Sequence, residues 1–233
     1  MKKEIAQKIL VETEKGYDLI SGKFSQTRKH FWTDLEFIKN YIKDGDRVLD
    51  FGCGNGRLFD FLKNSAQMEY WGLDVSGELI DIANLKHSNE NAHFSKTDPS
   101  QTSLAFSDNF FNTVYSVAVF HHIPSADIRT ELVNELYRIT KPGGYIIITV
   151  WNLWRKKYFS NIFKNWKNKI LGKSELDWND CYISFTDNQG KIFNRFHHAF
   201  TLRDLKKTFF QAGFKIEMCD IISGRNLVLI AKK

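Results

Sequence analysis

The sequence is poor in cysteine and lacks any long apolar run, and both absences narrow the class of protein. Its three cysteines are widely spaced and form no CxxC pair, which argues against a disulfide framework and against a structural zinc site. The N-terminus soon becomes charged, and no window approaches the length of a bilayer-spanning helix. We therefore expect a cytoplasmic protein without a secretion signal or a transmembrane segment.

Internal repeats, low-complexity tracts and Pro/Gly-rich linkers are also missing from the 233 residues. This length suits one domain with a generous core. We expect a single domain over 1–233, with a helical segment at 1–45 and an insertion at 152–200.

The charge is unevenly distributed along the chain. Residues 48–150 hold 12 acidic and 7 basic side chains, a net charge of −5, whereas residues 151–233 hold 16 basic and 7 acidic ones, a net charge of +9. This asymmetry fits a cofactor-binding core followed by a surface for an anionic partner. It fits equally well a solvated surface without a partner.

Hydrophobic periodicity predicts alternating helices and strands, with a turn at 141–144. The predicted helices cover residues 3–15, 17–43, 57–64, 77–87, 127–139 and 202–211. The predicted strands cover residues 47–51, 69–74, 92–95, 112–117, 145–150, 214–219 and 226–231. Alternation of this kind is typical of βαβ units, so we predict a Rossmann-like α/β fold. Its doubly wound, mostly parallel sheet would have seven strands and helices on both faces.

A glycine-rich turn follows the first predicted strand, where open α/β sheets bind ligands. Gly52, Gly54 and Gly56 give the spacing GxGxG, and Arg57 occupies the position at which a dinucleotide fingerprint needs glycine. A pyrophosphate would be opposed by the Asp50 carboxylate. S-adenosylmethionine (SAM) instead carries an ammonium and a sulfonium, so Asp50 favours SAM over a nicotinamide dinucleotide.

Carboxylates also follow the second and third predicted strands. Asp74 is placed to accept hydrogen bonds from ribose hydroxyls, and Asp98 could accept one from an adenine amino group. A lone aspartate at a strand end is usually a helix cap or a turn residue. Three of them after successive strands indicate a cofactor site.

These motifs resemble those of the class I SAM-dependent methyltransferases. The resemblance covers residues 47–151 and consists of VLDFGCGNG at 48–56, GLDVS at 72–76, the histidine pair at 121–122, LYRITKPGG at 136–144 and IIITVW at 146–151. It implies SAM as the cofactor. It further implies cofactor contacts from Val75, Val117 and His122, beside Asp50, Asp74, Asp98 and the three glycines.

Flanking segments are similar to those of the wobble-uridine tRNA methyltransferases, which esterify a carboxymethyl group on uridine 34. Residues 17–32 resemble their entry segment, 116–122 their fourth-strand motif, and 190–200 their late Arg-Tyr-Tyr-His motif, although Phe196 and His197 replace the two tyrosines. The resemblance implies tRNA as substrate and a small activating protein as a possible partner. The implied catalytic residues are Arg195 and His198, and Arg28 and His121 are implied to bind the substrate.

The predicted chemistry needs no general base, because a carboxylate acceptor is already ionised at neutral pH. The sequence also lacks the Asn-Pro-Pro-Tyr motif that methyltransferases of exocyclic amines use. Neither histidine pair, at 121–122 or 197–198, has the spacing of two metal ligands on a helix. We therefore expect no metal site.

The segment 151–173 contains seven basic residues and no acidic one. On a helix, its aromatic residues, including Phe163, would gather on one side and most lysines on the other. Three interpretations remain open: a lid helix with a solvated basic face, a tRNA-backbone surface that includes Arg155 and Lys156, and a helix lying on anionic lipid. We favour the first two together, because nothing else in the sequence supports contact with a membrane.

The sequence as a whole predicts a SAM-dependent methyltransferase that acts on a modified wobble uridine. One alternative is a methyltransferase of small carboxylate or hydroxyl metabolites. The other is a non-catalytic SAM-binding scaffold that presents its basic face to RNA or to a membrane.

Overall fold

The computed structural model describes residues 1–28, 30–88, 91–187 and 189–233. Its α-helices are α1 (Lys3–Thr27), α2 (Arg57–Leu62), α3 (Gly77–Lys86), α4 (Ala126–Ile139), α5 (Lys156–Ile170) and α6 (Leu202–Gln211). Its strands are β1 (Asp46–Phe51), β2 (Met68–Asp74), β3 (Ala92–Lys96), β4 (Phe111–Val117), β5 (Thr140–Trp151), β6 (Asp180–Thr186), β7 (Ile192–His198), β8 (Lys215–Ile222) and β9 (Asn226–Lys232). Two short 3-10 helices cover Thr33–Tyr41 and Phe120–His122.

Seven strands form the central sheet in the order β3-β2-β1-β4-β5-β9-β8. The first five pair in parallel, and β9 pairs antiparallel with both β5 and β8. Buried apolar clusters cover both faces of this sheet, as helices on two sides require. The predicted Rossmann-like fold with a mostly parallel seven-stranded sheet is confirmed.

The N-terminal segment differs from its prediction. The sequence predicts a helix break at Gly16, but α1 continues through this position. Gly16 allows the ring of Phe193, on β7, to pack directly against the helix backbone, since an added Cβ would overlap that ring. The second predicted helix is interrupted before the 3-10 helix Thr33–Tyr41, and Lys29 of the entry segment lies outside the described residues.

The insertion contains one helix and one hairpin. Helix α5 begins at Lys156 and leaves Trp151 in β5, and strands β6 and β7 form a separate antiparallel pair. A small core of Leu153, Ile162, Cys181 and Ala199 joins the two parts. The sequence predicts Phe163 on the apolar side, but it is 57% exposed, so that prediction is wrong.

The expected turn at 141–144 is instead the irregular beginning of β5. Strand β5 starts at Thr140, and its register against β4 shifts between Phe111 and Thr113. Gly143, with a φ of 79°, permits the irregular backbone there. No helix in the described ranges is long and apolar enough to cross a membrane.

Candidate functional site

One pocket lies at the carboxyl ends of the neighbouring strands β1, β2 and β4. It encloses about 1000 Å³, open solvent included, and its other wall comes from α1, the segment after α1, and the side chains of Trp151 and Arg195. The predicted residues that line it are Asp50, Gly52, Gly54, Asp74, Val75, Val117, His122, Arg28 and Arg195. The fold therefore brings both the glycine loop and the late arginine to one cavity.

The glycine loop turns sharply between β1 and α2. Gly52 and Gly54 have φ values of 83° and 55°, which side chains other than glycine rarely adopt. A Cβ on Gly52 would also collide with Val119. The N–H of Gly52 donates to the carbonyl of Leu73 at 2.7 Å, which ties the loop to β2. Bare backbone is thereby exposed on the pocket wall, where a ligand can approach closely.

Asp50 is buried at the base of the pocket, and only one of its carboxylate oxygens has a partner. The Tyr70 hydroxyl donates to Oδ2 at 2.6 Å, whereas Oδ1 has no partner among the described residues. Burial raises the pKa of Asp50 to about 7, against the opposing effect of the Tyr70 hydrogen bond. A ligand ammonium at Oδ1 would supply both the missing donor and the missing charge.

Asp74 stands at the end of β2 with both oxygens directed by backbone donors. The N–H of Gly54 donates to Oδ2 at 2.8 Å, and the N–H of Ser76 donates to Oδ1 at 2.9 Å. Each carboxylate oxygen can accept more than one hydrogen bond. Asp74 is therefore held in a fixed orientation and retains acceptor capacity for vicinal hydroxyls such as those of a ribose.

Helix α1 is joined to the end of β4 through Tyr17 and His122. Nδ1 of His122 lies 2.8 Å from the carbonyl oxygen of Phe196, so this nitrogen carries the hydrogen. Burial lowers the pKa of His122 to about 3, with a further contribution from the charge of Arg195. The imidazole is therefore neutral, and its Nε2 accepts a hydrogen bond from the Tyr17 hydroxyl at 2.8 Å.

Arg195, 5% exposed, projects from β7 to the wall of the pocket. Its guanidinium carbon lies 5.2 Å from the ring centroids of both Trp151 and Phe185. Its Nε lacks a hydrogen-bond partner, and no carboxylate of the described residues forms an ion pair with it. A buried cation without a counterion is costly, and this geometry would suit an anionic ligand.

His121, His122 and His197 place ring nitrogens within 4.8 Å of one another. The rings of His121 and His197 are nearly parallel, with 11° between their planes and 5.1 Å between their centroids. Imidazole lone pairs lie in the ring plane, so these two rings do not converge on one ion. We assign the cluster no metal. His121 is fully buried and does not line the pocket.

His198 lies elsewhere than Arg195. Side chains alternate along a strand, so residues three apart on β7 point to opposite faces. Nδ1 of His198 is 2.7 Å from Oδ1 of Asp180, and its ring lines a second, more open pocket between α4 and α6. This arrangement does not support a joint action of Arg195 and His198 on one acceptor.

Four further predicted residues also lie outside the lining of the first pocket. Gly56 precedes α2 and packs near Phe94. Asp98 accepts the N–H of Ser100 in a turn. Arg155 and Lys156 are exposed at the beginning of α5.

Sequence motifs attach no role to several lining residues, notably Tyr17, Trp32, Arg57 and Trp151. Tyr17 and Trp32 belong to the resemblance to the entry segment, but that resemblance attaches no role to them. Arg57 stands out in the sequence only as a departure from the dinucleotide fingerprint. The sequence signal that could have identified Arg57 as a pocket residue is the position of its basic side chain directly after the glycine loop.

Comparison with known proteins identifies similar sequences. A methyltransferase-domain family matches residues 25–218. The tRNA (carboxymethyluridine(34)-5-O)-methyltransferase of Arabidopsis thaliana is 33% identical over 135 residues, 58% of this chain and 31% of the relative. The Mus musculus tRNA (carboxymethyluridine(34)-5-O)-methyltransferase ALKBH8 is 30% identical over 165 residues, 70% of this chain and 22% of the relative. The chain thus spans less than a third of either relative.

Solved structures show the same fold. A SAM-dependent methyltransferase from Methanosarcina mazei superposes with a TM-score of 0.71 at 21% identity, over 88% of this chain and 98% of the other. A chain of the Haloferax volcanii complex between the Trm112 methyltransferase activator and a methyltransferase superposes with a TM-score of 0.67 at 18% identity, over 94% and 96%.

Proposed function

The chain belongs to the methyltransferase-domain family and is a SAM-dependent methyltransferase, and from this premise we propose that it methylates tRNA at a modified wobble uridine. The proposed reaction converts a 5-carboxymethyl group into its methyl ester. Two similar proteins carry this activity in their names. The observation that carries the proposal is Arg195, a buried cation without an ion-pair partner among the described residues, on the wall of the pocket.

We propose that the cofactor is held by the glycine loop and by two carboxylates. Asp50 offers the unpartnered Oδ1 to the ammonium group of SAM, and Asp74 offers its remaining acceptor capacity to the ribose hydroxyls. Val75 and Val117 line the same cavity and supply apolar contacts. When bound there, the cofactor supplies an electrophilic methyl group on a sulfonium.

Arg195 would hold the acceptor carboxylate with paired N–H donors. The carboxylate would be positioned as a nucleophile toward the methyl group that the cofactor supplies, and because it is already ionised no side chain would need to remove a proton. Hydrogen bonds to Tyr17 and to the Phe196 carbonyl hold His122 in place. Its imidazole forms part of the pocket wall, and because it is neutral it does not compete with Arg195 for the carboxylate. Catalysis in this account is the positioning of a nucleophile that is already ionised.

The basic side of α5 is the proposed tRNA-backbone surface. Arg155, Lys156, Lys157, Lys164 and Lys167 are exposed. Tyr158 of the same helix stacks on Trp151, with ring centroids 6.1 Å apart, and Trp151 lines the pocket. The helix therefore flanks the cavity, where cations can meet the phosphates beside a nucleotide inserted into the pocket.

A small activating protein is a further part of the proposal. Its support is the similarity in fold to a chain from a complex that contains the Trm112 activator. We propose that activity of the isolated chain rises when such an activator is added.

The function is tested by methyl transfer from labelled SAM into bulk tRNA. The tRNA comes from cells that lack the gene, so that acceptor sites remain open, and a metabolite extract is assayed in parallel. We expect label in a nucleoside that loses it on mild alkaline hydrolysis, as a methyl ester does. Label that enters only small molecules would contradict the tRNA proposal, and SAM binding without any transfer, with activator present, would favour a scaffold.

A further inference from the structure

Three arginines line the pocket, and aromatic rings hold each of them. The guanidinium carbon of Arg57 lies 4.1 Å from the ring centroid of Trp32, and that of Arg28 lies 5.4 Å from the ring centroid of Phe24. The guanidinium carbon of Arg195 lies 5.2 Å from each of two ring centroids, those of Trp151 and Phe185. Within the described part of the chain, none of the three forms an ion pair.

Stacking on a ring leaves the N–H groups of a guanidinium directed outward in its own plane. These donors are the ones that grip carboxylate or phosphate oxygens. The three guanidiniums also lie close enough to repel one another. The pKa of Arg57 falls to about 10, through burial first and the charge of Arg28 second, and the pKa of Arg28 is lowered by burial and then by Arg195.

The charges of the pocket do not balance when only the cofactor is added. Three arginines and two aspartates, Asp50 and Asp74, are the charged side chains of the lining. SAM brings an ammonium, a sulfonium and one carboxylate, and is therefore singly positive. The occupied pocket keeps an excess of two positive charges, which a partly buried site does not hold without counterions.

We propose that the acceptor brings two separate anionic groups into this pocket: a carboxylate held by Arg195 and a phosphate diester held by Arg28 and Arg57. The inference rests on the proposed function and makes its substrate more specific. Arg195 is the most buried of the three, whereas Arg28 and Arg57 are partly exposed. The deep cation suits the reacting group, and the outer pair suits the backbone of the same nucleotide. A metabolite with a single negative charge would neutralise only one of the two excess positive charges.

The test is a two-by-two set of ligands titrated calorimetrically into protein saturated with S-adenosylhomocysteine, the demethylated cofactor. The ligands are uridine and 5-carboxymethyluridine, each with free hydroxyls or with methyl phosphate diesters at both the 5′ and 3′ positions. The variants are Arg57→Gln, Arg57→Lys and Arg195→Gln. Arg47→Gln is the matched control, because Arg47 also lies over a ring, that of Phe110, but is paired with Glu69 outside the pocket.

For the wild type we expect the diesters and the carboxymethyl group each to tighten binding by about tenfold or more. Arg57→Gln should remove most of the diester gain and keep the carboxymethyl gain, and Arg195→Gln should do the reverse. Arg57→Lys should retain part of the diester gain, and Arg47→Gln should retain both gains. Far-UV circular dichroism reports whether each variant is folded, and affinity for S-adenosylhomocysteine is measured separately.

Two results would overturn the inference. Equal weakening of all four ligands by Arg57→Gln would show that Arg57 does not meet the diester. A loss of affinity for S-adenosylhomocysteine in folded Arg57→Gln protein would assign Arg57 to the cofactor carboxylate. If the carboxymethyl group brings no gain while the diester gain through Arg57 persists, the wobble-uridine function fails and the phosphate subsite stands.

Discussion

The Tyr17 hydroxyl donates a hydrogen bond to Nε2 of His122 across 2.8 Å. This bond joins residues that are 105 positions apart in the sequence and closes α1 over the pocket. Because Nδ1 of His122 is committed to the Phe196 carbonyl, one neutral imidazole links α1, the 3-10 helix after β4, and β7 at one side of the pocket.

Replacement of Tyr17 by Phe should destabilise the protein. The variant leaves a buried imidazole nitrogen without its donor, which costs about 1–3 kcal/mol in the free energy of unfolding. Urea denaturation measures this change. Tyr182→Phe is the control, because the Tyr182 side chain is partly exposed and its hydroxyl makes no hydrogen bond to another described residue. Equal stability of the two variants would contradict the role given to the Tyr17–His122 bond.

Two glycines of α1 should respond to alanine in opposite directions. Gly16→Ala forces a methyl group into the ring of Phe193, and we expect a loss of about 1–3 kcal/mol in the free energy of unfolding. Gly22→Ala meets no atom within 4 Å and should gain about 0.5–1 kcal/mol through higher helix propensity. Thermal or urea unfolding of both variants measures the pair. A stabilising Gly16→Ala would mean that the helix does not pack on Phe193 as described.

The buried histidines should make stability depend on pH. Burial lowers the pKa of His197 well below its usual value of 6.5, so below that pH the unfolded chain binds a proton that the folded chain does not. The contribution of His197 is therefore full above about pH 6.5 and is lost as pH falls, at about 1.4 kcal/mol per pH unit.

His197→Asn should make the free energy of unfolding depend less steeply on pH, by the contribution of one proton, about 1.4 kcal/mol per pH unit. Asn can still donate to the Arg195 carbonyl, which lies 2.9 Å from Nδ1 of the wild-type histidine. Contributions from His121, His122 and Asp50, the last of opposite sign because its pKa is raised, cancel when the variant is compared with the wild type. The free energy of unfolding is measured between about pH 7.5 and 5.5, on both sides of the ordinary histidine pKa. Parallel curves for the two proteins would contradict the prediction.

Exposed lysines of α5 should control the salt dependence of tRNA binding. Lys164→Gln with Lys167→Gln should flatten the plot of the logarithm of the affinity against the logarithm of the salt concentration, by about 0.7–0.9 for each phosphate that the variant no longer neutralises. The control replaces Lys39 and Lys43, exposed residues of the N-terminal segment. The same flattening in both double variants would mean that α5 is not the RNA surface.

Local sequence signals predict the half of the pocket that we propose for the cofactor. A strand that ends in a carboxylate beside a glycine turn is a local pattern, and it is enough to predict that Asp50 and Asp74 lie together at the carboxyl ends of their strands, where both line the pocket. The other half of the pocket, which we propose for the acceptor, depends on contacts between distant segments. Periodicity does not show that Tyr17 meets His122, or that Phe193 occupies the space at Gly16.

Strand alternation explains why the sequence wrongly groups one pair of residues. Arg195 and His198 stand in one motif, but periodicity does not predict the hairpin that contains β7, so their opposite faces are not evident from the sequence. In the same way, a helical wheel over 151–173 misplaces Phe163, because this residue directly follows the buried Ile162 and so lies about 100° away from it around α5.

The most direct test of the central claim uses a synthetic anticodon stem-loop in two versions. One carries 5-carboxymethyluridine at the wobble position and the other carries unmodified uridine in the same sequence. Protein, SAM and activator are incubated with each version of the stem-loop, and the mass of the RNA is measured by mass spectrometry. We predict that only the carboxymethyl version gains the mass of one methylene group and that mild alkali removes it. Equal methylation of both versions, or of neither, would contradict the account.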